Sequence, residues 1–115
     1  MHKLYKILNK QTSNLPNNWD SYGAIPPHKA SILGAKAFIK EIIDHGWMQP
    51  YIFPVPDGTI QFEFDITGNS VEIVIRNIDD YELHYEGDIF SELEKREIHT
   101  NYRDFLNLIT KKAES

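Results

Sequence analysis

Ile60-Gln61-Phe62-Glu63-Phe64-Asp65-Ile66, Val71-Glu72-Ile73-Val74-Ile75-Arg76 and Tyr81-Glu82-Leu83-His84-Tyr85-Glu86 are three successive runs in which an apolar side chain returns at every second residue. A period of two is that of a β-strand, whose side chains point alternately to opposite faces. Each run is greasy on one side and polar on the other, the pattern of an antiparallel sheet packed on one face and wet on the other. Turn-forming residues separate the runs at Thr67-Gly68-Asn69-Ser70 and Asn77-Ile78-Asp79-Asp80, which predicts a meander. A shorter run, Tyr51 to Val55, precedes them with prolines on either side, a composition that favours an edge strand.

Outside this block the period changes to that of a helix. Ile32, Ala35, Phe38, Ile39, Ile42 and Ile43 fall on one arc at ~100° per residue, with Lys29, Lys36, Lys40 and Asp44 on the other. The spacing predicts a helix over His28–His45, ended by Gly46. Leu4, Tyr5, Ile7 and Leu8 predict a short helix over residues 2–11. Asn14 to Pro27, with Pro16, Gly23 and Pro26-Pro27, reads as loop. After Gly87, Ile89, Phe90 and Leu93 suggest a short turn, and Tyr102, Phe105, Leu106 and Ile109 predict a terminal amphipathic helix. The expected fold is α+β: a three- to four-stranded antiparallel meander with helices on one face, in the order α-α-β-β-β-β-α. Residues 1–115 fit one domain.

Composition narrows the function classes. The chain has no cysteine, which removes disulfides, thiolate metal sites and a cysteine nucleophile. No segment reaches the ~20 apolar residues of a membrane span, and a cytoplasmic location is expected. Twelve basic against 17 acidic residues give a net charge of −5, which disfavours direct nucleic-acid binding through phosphate contacts.

The register of the runs makes the polar face a candidate surface. It is expected to carry Gln61, Glu63, Asp65, Glu72, Val74, Arg76, Glu82, His84 and Glu86. With a four-residue first turn, Asp65 lies opposite Glu72 and Gln61 opposite Arg76, with Arg76 beside Glu82 and Val74 as the only apolar tile. Like charges directly opposed are destabilising, so a net-negative open face is a feature to explain.

Two further segments carry chemistry-bearing residues. Asn18-Trp19-Asp20-Ser21-Tyr22-Gly23-Ala24-Ile25-Pro26 places two aromatics and an acid in a loop. It reads either as a ligand platform or as a structural element, with Trp19 and Tyr22 plugging the core and Asp20 bonding backbone amides. Asp57-Gly58 is a hairpin signal. Asp57 and Glu63 are either two carboxylates of a site or turn chemistry and a solvated strand face. No catalytic motif and no helical pair of metal-binding histidines occurs. A His84 site for a divalent ion competes with an exposed histidine among acids. The expectation is no catalytic residue, no metal and no cofactor.

The motif Asn18-Trp19-Asp20-x-Tyr22-Gly23-Ala24 with Pro26, together with Pro54-x-Pro56-Asp57-Gly58-x-Ile60-x-x-Glu63-Phe64, resembles a group of small uncharacterised bacterial and phage-associated proteins. The resemblance spans about residues 15–86. Ser21 stands where a glycine is usual and Phe64 where a tryptophan is usual. The resemblance implies a shared fold and a joint importance of Trp19, Asp20, Tyr22, Asp57 and Glu63, and it brings no activity. The α-β-β-β-α core also resembles the double-stranded-RNA-binding domain in outline, but Lys111-Lys112 are too few cations for that role.

The leading functional expectation is a non-enzymatic module that binds another protein, of inhibitor, antitoxin or immunity type. Its acidic face of Glu63, Asp65, Glu72, Glu82 and Glu86, centred on Val74 and His84, would meet a basic nuclease, toxin or DNA-binding protein. The competing expectation is a small enzyme or ligand binder using the Trp19-Asp20-Tyr22 loop with Asp57 and Glu63. A third is a structural subunit that self-associates.

Overall fold

A computed structural model describes residues 2–66 and 69–86. The elements follow the sequence pattern: α1 (Lys3–Thr12), α2 (Lys29–His45), β1 (Tyr51–Pro54), β2 (Ile60–Ile66), β3 (Asn69–Asn77) and β4 (Asp80–Glu86). The four strands form one antiparallel sheet in the order β1-β2-β3-β4, with β1 at an edge. Both helices lie on one face, α1 against β1 and α2 along β3 and β2. The readings at Ile89–Leu93 and Tyr102–Ile109 fall outside the described residues.

The helices form where their apolar spacing demands burial. Leu4 and Leu8, one turn apart, enter the core from α1, whose start is capped by His2 Nδ1 accepting from the Leu4 amide at 3.1 Å. Ala35, Phe38, Ile39 and Ile42 enter from α2. Ile43 lies at the margin of that arc and stays 38% exposed. Gly46 ends α2 at φ 67°, a left-handed conformation that costs glycine little.

Opposite them, Ile52, Ile60, Phe62, Phe64, Val71, Ile73 and Ile75 are buried, every second residue of their strands. Phe38 meets Phe62 edge-on at 4.7 Å between ring centroids, so the aromatic contact ties α2 to the centre of the sheet. Fully burying a side chain of this size contributes about 1.5–3 kcal/mol.

Two small residues set how closely α2 approaches β3. A Cβ at Gly34 would lie 2.7 Å from the carbonyl of Asn77 and from the Ile75 side chain. The pairing of β3 with β4 shifts between Ile75 and Asn77, leaving Arg76 outside the ladder. Its carbonyl accepts a hydrogen bond from the buried Ser31 hydroxyl at 2.8 Å, so the irregularity leaves no orphaned acceptor there.

The register corrects two expectations. Pairing continues through Asp65↔Ser70 to Ile66↔Asn69, so Asn69 and Ser70 belong to β3 and not to a four-residue turn. Glu72 therefore faces Glu63, not Asp65, and Gln61 faces Val74, not Arg76. Each added pair extends the hydrogen-bonded ladder, which favours the longer strands. Val74 is also not the sole apolar tile of the outer face. Tyr51 pairs with Glu63 and Phe53 with Gln61, so both aromatic residues share that face.

Candidate functional site

The outer face of the sheet is ordered in rows that cross the strands. One row runs Phe53, Gln61, Val74, Glu82; the next runs Tyr51, Glu63, Glu72, His84; a third holds Asp65, Ser70 and the register position of Glu86. The sequence alternation sends the partners of these residues inward, where most are buried. No side chain described on the outer face is itself buried, and Tyr51 is 68% exposed.

Electrostatics divide this face in two. At one end Arg76 donates from Nη1 to Glu82 at 2.8 Å and from Nη2 to Asp80 at 3.0 Å. Those hydrogen bonds hold the carboxyls of Asp80 and Glu82 below their usual range and raise the guanidinium. Glu82 also meets His84 Nε2 at 3.3 Å. At the other end Glu63 and Glu72 are direct neighbours across β2 and β3, with Asp65 in the next row. Among the described residues, none of these three carboxylates has an ion pair or hydrogen bond. Facing residues have Cβ atoms about 4.5–5.5 Å apart, so the Glu63–Glu72 repulsion is a standing cost of the register.

The loop motif is built differently. Asn18 Oδ1 accepts from the Gly23 amide at 2.6 Å, and Asp20 Oδ1 accepts from the Tyr22 and Ala24 amides at 2.8 and 3.0 Å. Trp19 Nε1 donates to the Ile25 carbonyl at 2.8 Å. These bonds hold a backbone with left-handed φ at Asn18 (62°), Ser21 (66°) and Gly23 (89°). Asp20 thus bonds backbone amides, as the structural reading expects. The core-plug half of that reading is corrected. Trp19 is only half-buried, and Tyr22 is 92% exposed because the turn at Ser21 throws its ring outward.

The second motif docks beside the first. The Ile25 amide donates to Pro56 and the His28 amide to Gly58, at 2.9 and 2.8 Å. Gly58 sits at φ 91°, and a Cβ there would lie 2.5 Å from the His28 ring. Asp57 Oδ1 accepts from both the hydroxyl and the amide of Thr59, at 2.5 and 3.0 Å. The Thr59 hydroxyl is the main reason the Asp57 carboxyl lies below its ordinary value. The loop and Asp57 therefore share one corner of the molecule. Glu63 does not join them: it lies along β2 opposite Tyr51, on the outer sheet face.

Three structural residues carried weaker sequence signals. Gly34 is a lone glycine inside a helical pattern, a sign of close packing that was there to be read. Ser31 and His28 act through β3 and the hairpin, and nothing local in their sequence marks those partners.

A hollow of about 110 Å³ lies at the end of the outer face, lined by Ser70, Glu72, His84 and Tyr85. Another, of about 300 Å³, lies between Ala30, Leu33, Asn77 and Ile78, with no titratable side chain among the described residues of its lining. Among the described residues no three His, Asp or Glu side chains converge to hold a metal ion, and no helix is long and apolar enough to cross a membrane. Comparison with protein-family models, curated proteins and solved structures finds no match for the chain.

Proposed function

We propose that this chain is a non-enzymatic binding module, of inhibitor, antitoxin or immunity type, whose outer sheet face receives a basic surface of another cytoplasmic protein. One observation carries the reading: Glu63 and Glu72 oppose each other directly, neither makes an ion pair or hydrogen bond among the described residues, and the described side chains of this face are not buried. An incoming cation relieves that repulsion, so the cost of the register returns as binding energy. Such complementarity mainly accelerates encounter and makes association salt-sensitive. Glu63, Asp65 and Glu72 supply free charge, Val74 and Phe53 supply apolar contact, and Glu82 and His84 border the patch. Glu86 extends it at the register position facing Ser70.

Catalysis is the weaker reading of the same residues. A catalytic acid or base usually needs a sheltered, perturbed group, and these carboxylates lie on an open surface. The test is affinity capture from the native host with the wild-type chain and with a Glu72→Lys/Glu82→Lys variant, identifying retained proteins by mass spectrometry. A basic protein held by the wild type and lost by the variant, with both chains equally folded by circular dichroism, supports the proposal. Equal retention by both chains rejects it.

A further inference from the structure

We infer that the outer face is built to take arginine in preference to lysine, with a partner's guanidinium stacked on Tyr51 and bonded to the carboxylates of Glu63 and Glu72. The inference rests on the docking reading above and adds the chemistry of the partner segment. Tyr51 opens β1 and points to the wet face, while its neighbour Ile52 fills the core position. Its register partner is Glu63, whose partner on the far side is Glu72. An exposed aromatic ring and two carboxylates thus occupy one row over three adjacent strands. At about 4.8 Å between strands, the row spans roughly 10 Å.

A guanidinium suits that row better than an ammonium. It is flat, weakly hydrated and carries five donors in a rigid fork, so it can lie over a ring while its edge bonds a carboxylate. An ammonium is a compact, strongly hydrated charge with no face to stack. Phe53 and Val74, in the next row, offer a surface for the aliphatic stem of the incoming side chain. The chain's own guanidinium on this face, Arg76, is held by Asp80 and Glu82 and is not directed at Glu63 or Glu72.

The experiment uses fluorescein-labelled oligoarginine and oligolysine peptides of equal length, titrated with the full chain at low ionic strength and read by fluorescence anisotropy. The wild type is expected to bind oligoarginine about two- to fivefold more tightly, the range of one exposed cation–π contact. Tyr51→Ala is expected to reduce the preference, leaving only what the fork-to-carboxylate bonds contribute, and Tyr51→Phe to keep it. Tyr22→Ala, which deletes a still more exposed ring in the loop, is expected to leave it unchanged. Equal affinities in the wild type, or a preference undiminished in Tyr51→Ala, overturns the inference. If Glu72→Lys still weakens both peptides, the docking reading survives that failure. If neither peptide binds, or Glu72→Lys weakens neither, both fall together.

Discussion

The hairpin corner and the outer sheet face hold similar residues and use them in opposite ways. At the corner, Asn18, Asp20 and Asp57 each direct a side-chain oxygen to neighbouring amides or a hydroxyl, and Trp19 donates to a carbonyl. On the sheet, Glu63, Asp65 and Glu72 have no hydrogen bond or ion pair among the described residues. A polar side chain whose bonds close within the chain supports the fold. One whose bonds stay open on a rigid surface is available to something else. Loss of a corner residue should therefore lower stability, and loss of a face carboxylate should not.

The largest break in that comparison is expected at Gly58. Gly58→Ala places a methyl against the His28 ring and forces a left-handed conformation on alanine, with an expected loss of about 3 kcal/mol in urea unfolding. Asp20→Ala leaves the Tyr22 and Ala24 amides without their acceptor and should cost about 1–2 kcal/mol by the same measurement. A cost within error for either variant would show that the corner is less interlocked than its bonds indicate.

Acid sharpens the contrast further. The Asp57 carboxyl is depressed in the folded chain, chiefly by the Thr59 hydroxyl, so the unfolded chain takes up its proton first as pH falls. Its stabilising contribution is complete above the ordinary aspartate value near about 3.9 and is lost as pH drops through the lower folded value. The stability difference between the wild type and Asp57→Asn should accordingly shrink in unfolding curves carried from neutral pH into that acid range. The smallest effect has the opposite sign. Glu72→Gln removes the repulsion with Glu63 and should raise the thermal midpoint slightly, by the equivalent of about 0.3 kcal/mol. A clear loss there would mean that Glu72 supports the fold after all.

The reach of sequence reading followed how local each constraint was. Alternation in Phe62, Phe64, Val71, Ile73 and Ile75 is a property of each strand alone, and it correctly separates the core from the wet face. Register depends on where two strands turn. Asn69 and Ser70 have turn-forming side chains yet pair with Ile66 and Asp65, which moves Glu72 from Asp65 to Glu63. β1 posed a related difficulty. Tyr51-Ile52-Phe53 is apolar at every position, so alternation cannot say which residues face inward until the pairing with β2 is known. The two loop motifs were visible as motifs, but their docking through Pro56, Gly58 and His28 joins residues distant in sequence.

The proline that closes β1 bears on how molecules of this kind can meet. β1 is an outer strand of only four residues, and Pro54 contributes no amide donor. A neighbouring chain trying to extend the sheet along that rim finds only a short ladder with one donor missing, which disfavours strand addition there. On the proposed reading, a partner approaching this side would meet the broad pleated surface instead, and charge and aromatic rings would do the sorting.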